Sequence, residues 1–229
     1  MIAMLLKSIG LILSLAVVIA LLILTPAWQF RVINDWRIVF LAVGYFTFFL
    51  GTVWRVIRYG KLVDRQEDLQ VKETSGRLAS LATIIGLIGV HWLAVYTFSI
   101  QADNLNLILT NRLNVLGISL VVAAMFVSQI AIRTLGKFFD RLAIKSDHRL
   151  VTEGIYGFVR HPIYTSYILL FVGFCTLLQS LWGLGLLLAV CLVWFGNRIG
   201  IEERMLLARF GDEYQAYCHQ TKRLFPYLY

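Results

Sequence analysis

The feature that most limits what this chain can become is a series of apolar runs long enough to cross a bilayer. Four lie at about Leu5–Leu24, Val39–Ile57, Leu78–Ile100 and Leu113–Ile132. Each fits the roughly 17–25 residues a helix needs to traverse about 30 Å of hydrocarbon. Two shorter runs follow, Ile163–Leu178 and Leu181–Phe195, separated by only Gln179 and Ser180. They read as a re-entrant pair or a tight helical hairpin. The hairpin is preferred, because Pro162 opens the first arm and the second extends helically past Phe195. The expected fold is therefore all-α, a polytopic integral membrane protein with six transmembrane helices.

Composition agrees with this reading. Only 15% of the residues are charged, against about 25% in a soluble domain. The first run is longer than the roughly 7–15 residues of a signal-peptide core, and no small-x-small cleavage pattern follows it. It is expected to stay as a helix. Cys175, Cys191 and Cys218 are scattered, so neither a disulfide framework nor a structural zinc site is indicated. His148 and His219 lack ligand-like neighbours, and no metal is expected.

The net charge of +8 is explained by topology, not by nucleic-acid binding. With the amino terminus inside, only Arg31, Arg37 and Arg112 fall in outer segments; the other 18 of the 21 Lys and Arg lie inside. Such asymmetry predicts that both termini are cytoplasmic. Trp28, Trp36, Trp54, Tyr59 and Trp182 fall near expected interfaces, where amphipathic rings sit well. Gly44, Gly51, Gly86, Gly89, Gly173, Gly183 and Gly185 are expected to allow close helix packing. Gly60–Gly76 reads as a polar excursion. Thr134–Arg160 carries enough apolar residues, among them Leu142, Ile144, Leu150 and Val151, to lie at the interface or pack on the core.

Two polar clusters interrupt the apolar background. The first, Glu153–Tyr167, contains "EGIYGFVRHPIYTSY". Pro162 disfavours helix at His161 and suits the first helical position. His161 should then stand at the mouth of a transmembrane helix, whose unpaired N–H groups favour an anion. Tyr164 should lie in the first turn. The second cluster, Asn197–Tyr217, continues the last apolar helix into the cytosol. Arg198 and Glu202 share a face of it, with Glu203 offset by about 100°. The hairpin would bring both clusters to one side of the membrane.

Each residue also has a plainer reading. Arg198 and Glu202 fit a helical i,i+4 pair worth a few tenths of a kcal/mol. Arg160 fits a topology-setting charge, His161 a cap, Tyr164 and Tyr167 interfacial anchors, and Glu153 a solvated carboxylate. His91, in mid-segment beside Trp92, is either a neutral hydrogen-bonded core histidine or a substrate or ion contact.

Together the clusters resemble the isoprenylcysteine carboxyl methyltransferase family and, more broadly, membrane methyltransferases that include phospholipid methyltransferases. The resemblance is carried by "LGKFF" at 135–139, "LVTEGIYGFVRHPIY" at 150–164, "EE" at 202–203, "FGDEYQAY" at 210–217 and "RLFP" at 223–226. It implies a division into acceptor-side helices at 1–132 and a methyltransferase-like core at 133–229. It also implies a cytosol-facing pocket for S-adenosyl-L-methionine (AdoMet), held by Tyr156, Arg160, His161, Pro162, Tyr164, Glu202 and Glu203. Arg198, Glu202 and Glu203 would be the catalytic groups, with Arg198 aiming an acceptor carboxylate. The acceptor would be a lipophilic molecule entering from the bilayer, and the setting a bacterial or archaeal inner membrane. Tyr167 stands near a position where many relatives carry glycine or alanine. The rival readings are an NADPH-dependent sterol or lipid reductase, and a transporter or structural membrane protein.

Overall fold

A computed structural model describes residues 2–59, 77–101, 107–136 and 150–226. Among these, the chain is an all-α polytopic membrane protein with five long apolar helices and one shorter apolar helix. The polar excursion at Gly60–Gly76 and positions such as Leu142 and Ile144 lie outside the described residues.

The first span is α1 (Ile2–Ile19), which continues through a π-helical turn (Ala20–Leu24) into α2 (Thr25–Gln29). The expected end at Leu24 is thus too early. Pro26 has no N–H to give to a helical ladder, yet here it occupies the first turn of α2, just after the wider π turn has reset that ladder. Three further spans are α3 (Trp36–Tyr59), α4 (Arg77–Gln101) and α5 (Leu107–Leu135). After the short 3-10 turn at Gly154–Gly157 come α6 (Pro162–Leu177), α7 (Leu181–Phe210) and α8 (Asp212–Gln220). α7 has 30 residues, about 45 Å at the helical rise. It therefore exceeds the hydrocarbon thickness and continues past Phe195 as expected, but ends at Phe210, where Gly211 (φ 52°) breaks it before the expected limit at Tyr217.

Close contact between α5 and α6 fixes the centre of the bundle. A Cβ at Gly117 would lie 2.8 Å from the backbone nitrogen of Leu177, and one at Gly173 would lie 3.0 Å from that of Val121. The two backbones touch there, and only glycine permits it. Gly86 is similarly closed by Val190 of α7, and Gly183 by Ser180 and Ala94. Gly185 faces open space, so close packing does not account for that glycine.

The two ends of the bundle differ. At one, Arg37 donates through Nε to Asn114 Oδ1 at 3.1 Å and pairs with Asp35 at 3.1 Å, while its guanidinium lies over Trp36 and Phe98. This lock joins the start of α3 to the start of α5. Nearby, Ser180 Oγ accepts from Gly183 N and from Thr97 Oγ1, capping α7 and tying it to α4. Trp28, Trp36 and Trp182 are exposed toward this end and Trp54 toward the other, as expected for interfacial rings. The other end gathers the close of α5, the start of α6 and the far half of α7.

Between the ends lies His91, 1% exposed and surrounded by aromatic rings. Its Nδ1 lies 2.7 Å from Leu87 O and its Nε2 2.9 Å from Tyr45 Oη. A carbonyl can only accept, so Nδ1 carries the proton and Nε2 accepts from the tyrosine. Both ring nitrogens are satisfied without charge. Of the two readings open for His91, the neutral core histidine is the one these contacts favour.

Candidate functional site

The site is built where α6 begins. Pro162 occupies the first helical position and His161 the cap, with φ −125° and ψ 55°. Proline fixes its own φ and biases the preceding residue away from the helical region, so the chain turns at His161. The strand-like segment before it is paired with the carboxy-terminal tail. Lys222 N donates to Phe158 O, Arg160 N donates to Lys222 O, and His161 N donates to Arg223 O at 3.0 Å. Thr165 Oγ1 adds a bond to Leu224 O. The His161 N–H, at the mouth of this helix, is therefore already taken.

The far half of α7 faces this turn and brings the acidic pair to it. Tyr164 Oη donates to Glu202 Oε2 at 2.8 Å and accepts from Arg198 Nε at 3.2 Å. Arg198 and Glu202 thus meet through the α6 tyrosine. The rings of His161 and Tyr164 stack at 5.6 Å with 25° between planes, and Tyr164 also packs on Phe195.

Glu203, one residue on, points into a different set of partners. Arg160 Nε approaches Oε1 at 3.1 Å, His161 Nε2 at 3.3 Å, and Arg223 reaches Oε2 through Nη2 at 2.9 Å and Nε at 3.1 Å. Because a carboxylate can only accept, His161 Nε2 carries its proton toward Glu203. Arg160 is further held by the backbone oxygens of Cys218 and Thr221. The Glu203 side chain is 14% exposed and that of Glu202 is 30% exposed. The two neighbours therefore differ in kind. Glu203 is a saturated internal anion, and Glu202 keeps acceptor capacity toward the outside.

Tyr156, also expected at the site, is buried in a small cluster with Ala131 and Val151. Burial pushes its phenol up from the usual range, and the negative charge of Glu202 adds to this. It is a neutral group beside the acidic pair. Its backbone oxygen accepts from Tyr217 Oη at 2.7 Å, which fastens α8 under the 3-10 turn. Tyr217 is likewise raised by burial. Tyr167 is buried and stacks against Phe171 while packing on Phe48 and Trp194.

Two contributors carried no role in the sequence reading. Arg223 and Thr221 lie on a tail some 60 residues from Arg160, and nothing in their local pattern shows which element the tail pairs with. "RLFP" was visible as a motif; its partner was not.

Chemically, the cluster offers an exposed-side carboxylate, an arginine whose Nε alone is spent on Tyr164 among the described contacts, and a pair of stacked rings beside them. That set suits a ligand carrying both a cationic group and a flat surface.

Residues 115–208 match the family model of the isoprenylcysteine carboxyl methyltransferase (ICMT) family. The chain is 32% identical over 124 residues to the Protein-S-isoprenylcysteine O-methyltransferase of Saccharomyces cerevisiae, covering 52% of this chain and 51% of that protein. It is 28% identical over 117 residues to a probable enzyme of the same name from Oryza sativa subsp. indica, covering 49% of this chain and 60% of that one. The chain thus spans about half the length of the curated relatives it matches. Its fold is similar to a solved structure of a eukaryotic intramembrane Ras methyltransferase ICMT. That match has a TM-score of 0.50 and 23% identity, and covers 96% of this chain and 74% of the other.

Proposed function

We propose that this chain, whose residues 115–208 match the isoprenylcysteine carboxyl methyltransferase family model, is a member of that family and moves a methyl group from AdoMet to a lipophilic, isoprenylcysteine-like acceptor. The observation that carries this reading is the direct meeting of the two polar clusters, through Tyr164–Glu202 at 2.8 Å and His161–Glu203 at 3.3 Å.

The residues fit such a donor. Glu202 retains acceptor capacity and partial exposure, as the ammonium of a methionine group requires. His161 and Tyr164 present stacked rings next to it, Glu203 and Arg160 fix the His161 side of that pair, and Tyr156 and Pro162 complete the wall of the donor site. AdoMet supplies an activated methyl on sulfonium sulfur, so the chain's own task is chiefly alignment, which can contribute several kcal/mol. Arg198 spends Nε on Tyr164, and its terminal nitrogens are the natural fork for an acceptor carboxylate. A carboxylate acceptor is already ionised at pH 7 and needs no base. An amine or thiol would need one, and Glu202 is better suited than Glu203, whose oxygens are occupied.

We assign the two chain segments before and after Ser180 to a helical hairpin, with α8 and the tail as a cytosolic extension. The acceptor side falls to the helices before residue 133 and the donor site to the remainder. Both termini are taken as cytoplasmic, since 18 of 21 Lys and Arg belong to that side. The protein is integral to a membrane; the relatives named are eukaryotic and lend nothing to the expectation of a bacterial or archaeal inner membrane.

The test uses protein reconstituted in lipid, methyl-labelled AdoMet and a prenylcysteine. A labelled, base-labile methyl ester is expected. Absence of AdoMet binding together with saturable NADPH binding would overturn the assignment in favour of a reductase.

A further inference from the structure

Arg223 holds the site in two independent ways. Its backbone oxygen accepts from His161 N, while its guanidinium engages both oxygens of Glu203, at 3.2 Å to Oε1 and 2.9 Å to Oε2. One residue on the tail therefore grips both the turn that opens α6 and the carboxylate that α7 sends toward it. A bidentate arginine fixes the plane of a carboxylate as well as its place. With that plane set, Oε1 is presented to Arg160 Nε and His161 Nε2.

We propose that Arg223 is a positioning residue for the AdoMet site: by saturating Glu203 it orients His161 and Arg160, and leaves Glu202 as the carboxylate that meets the ligand's cation. This rests on the function proposed above. The charge pattern supports the division. Glu202 and Glu203 are adjacent anions, and two free carboxylates side by side would compete for the same cation and repel each other. Arg160 and Arg223 neutralise the inner one. Removing Arg223 frees Glu203 Oε2 to turn outward, and the orientation of His161 against Tyr164 loosens with it. Lysine at 223 keeps the charge but not the fork.

The test is a double-mutant cycle on the dissociation constant for AdoMet, measured by calorimetry on the full chain in detergent. Arg223→Ala and Glu203→Gln are each expected to weaken binding about tenfold, and the double variant no more than either alone, as for residues acting through one contact. Arg223→Lys should fall between Arg223→Ala and the unaltered protein. If Arg223→Ala fails to fold, Arg223→Gln takes its place in the cycle. Unchanged affinity in the arginine variant, or losses that simply multiply in the double variant, would overturn the role of Arg223 while leaving the proposed function intact. An unaltered protein that binds no AdoMet would overturn the function itself, and this role along with it.

Discussion

Two buried histidines divide this molecule between them. His91 is 1% exposed and His161 4% exposed, so burial does not separate them. Their partners do. His91 gives its one proton to a backbone carbonyl and takes one from Tyr45, inside a box of rings with no charged contact among the described residues. Its hydrogen-bonding capacity is used up, and it joins α3 to α4. His161 stands between two carboxylates, with Arg160 and Arg223 on the same Glu203. There the polar groups outnumber what packing alone requires, and one of them, Glu202, is left partly open. A closed pair is architecture. A charged cluster with an open member is where the proposed function places a ligand.

The comparison can be broken by substitution. The largest effect is expected from Glu202→Gln, which removes the open charge: AdoMet affinity should fall about 100-fold, in line with the loss of a charge-assisted hydrogen bond. Full turnover by both Glu202→Gln and Glu203→Gln in folded protein would refute a catalytic role for the acidic pair. His91→Ala should do the reverse. It leaves a cavity and an unpaired Tyr45 hydroxyl, costing about 2–3 kcal/mol of stability, while the folded fraction keeps its AdoMet affinity. A loss of affinity there would show that the two histidines are not separate in function.

Smaller effects sharpen the contrast. His161→Ala is expected to weaken AdoMet binding at least tenfold, roughly 1.4 kcal/mol, as judged by calorimetry; unchanged affinity would move His161 into the architectural class with His91. Arg198→Ala should mainly raise the acceptor KM, by several-fold to about tenfold, as removal of a carboxylate fork implies. A pure loss of AdoMet affinity in steady-state kinetics would reassign Arg198 to the donor side.

The spans were readable because hydrocarbon imposes a length and an apolar composition on any helix that crosses it. The neighbourhood of His161 and the acidic pair was readable too, since Pro162 marks a helix start and two joined helices return the chain to one end. Other features depended on contacts that leave no local trace. The helix continues past Leu24 because a π turn absorbs Pro26, and periodicity does not announce such a turn. Glu202 and Glu203 are the same residue type one position apart, yet one is saturated and the other open. The difference lies in Arg160, His161 and Arg223, all held by Glu203, and Arg223 approaches from a tail segment whose pairing with Phe158–His161 is set by tertiary structure. Gly185 looked like its neighbours in sequence but meets no other helix.

α7 runs without interruption from its serine cap to Phe210, and this continuity works as a plumb line. Glu202 hangs 21 residues below Leu181, roughly 32 Å at the helical rise. Its depth is therefore set by the capped end of the same helix, at the other end of the bundle. A single residue deleted between Phe195 and Arg198 would lift the acidic pair by about 1.5 Å and swing it about 100° around the axis. The altitude and compass bearing of the acidic pair are thus written into one unbroken rod, and under the proposed function a lipid-borne acceptor has to present its head at that height to be met.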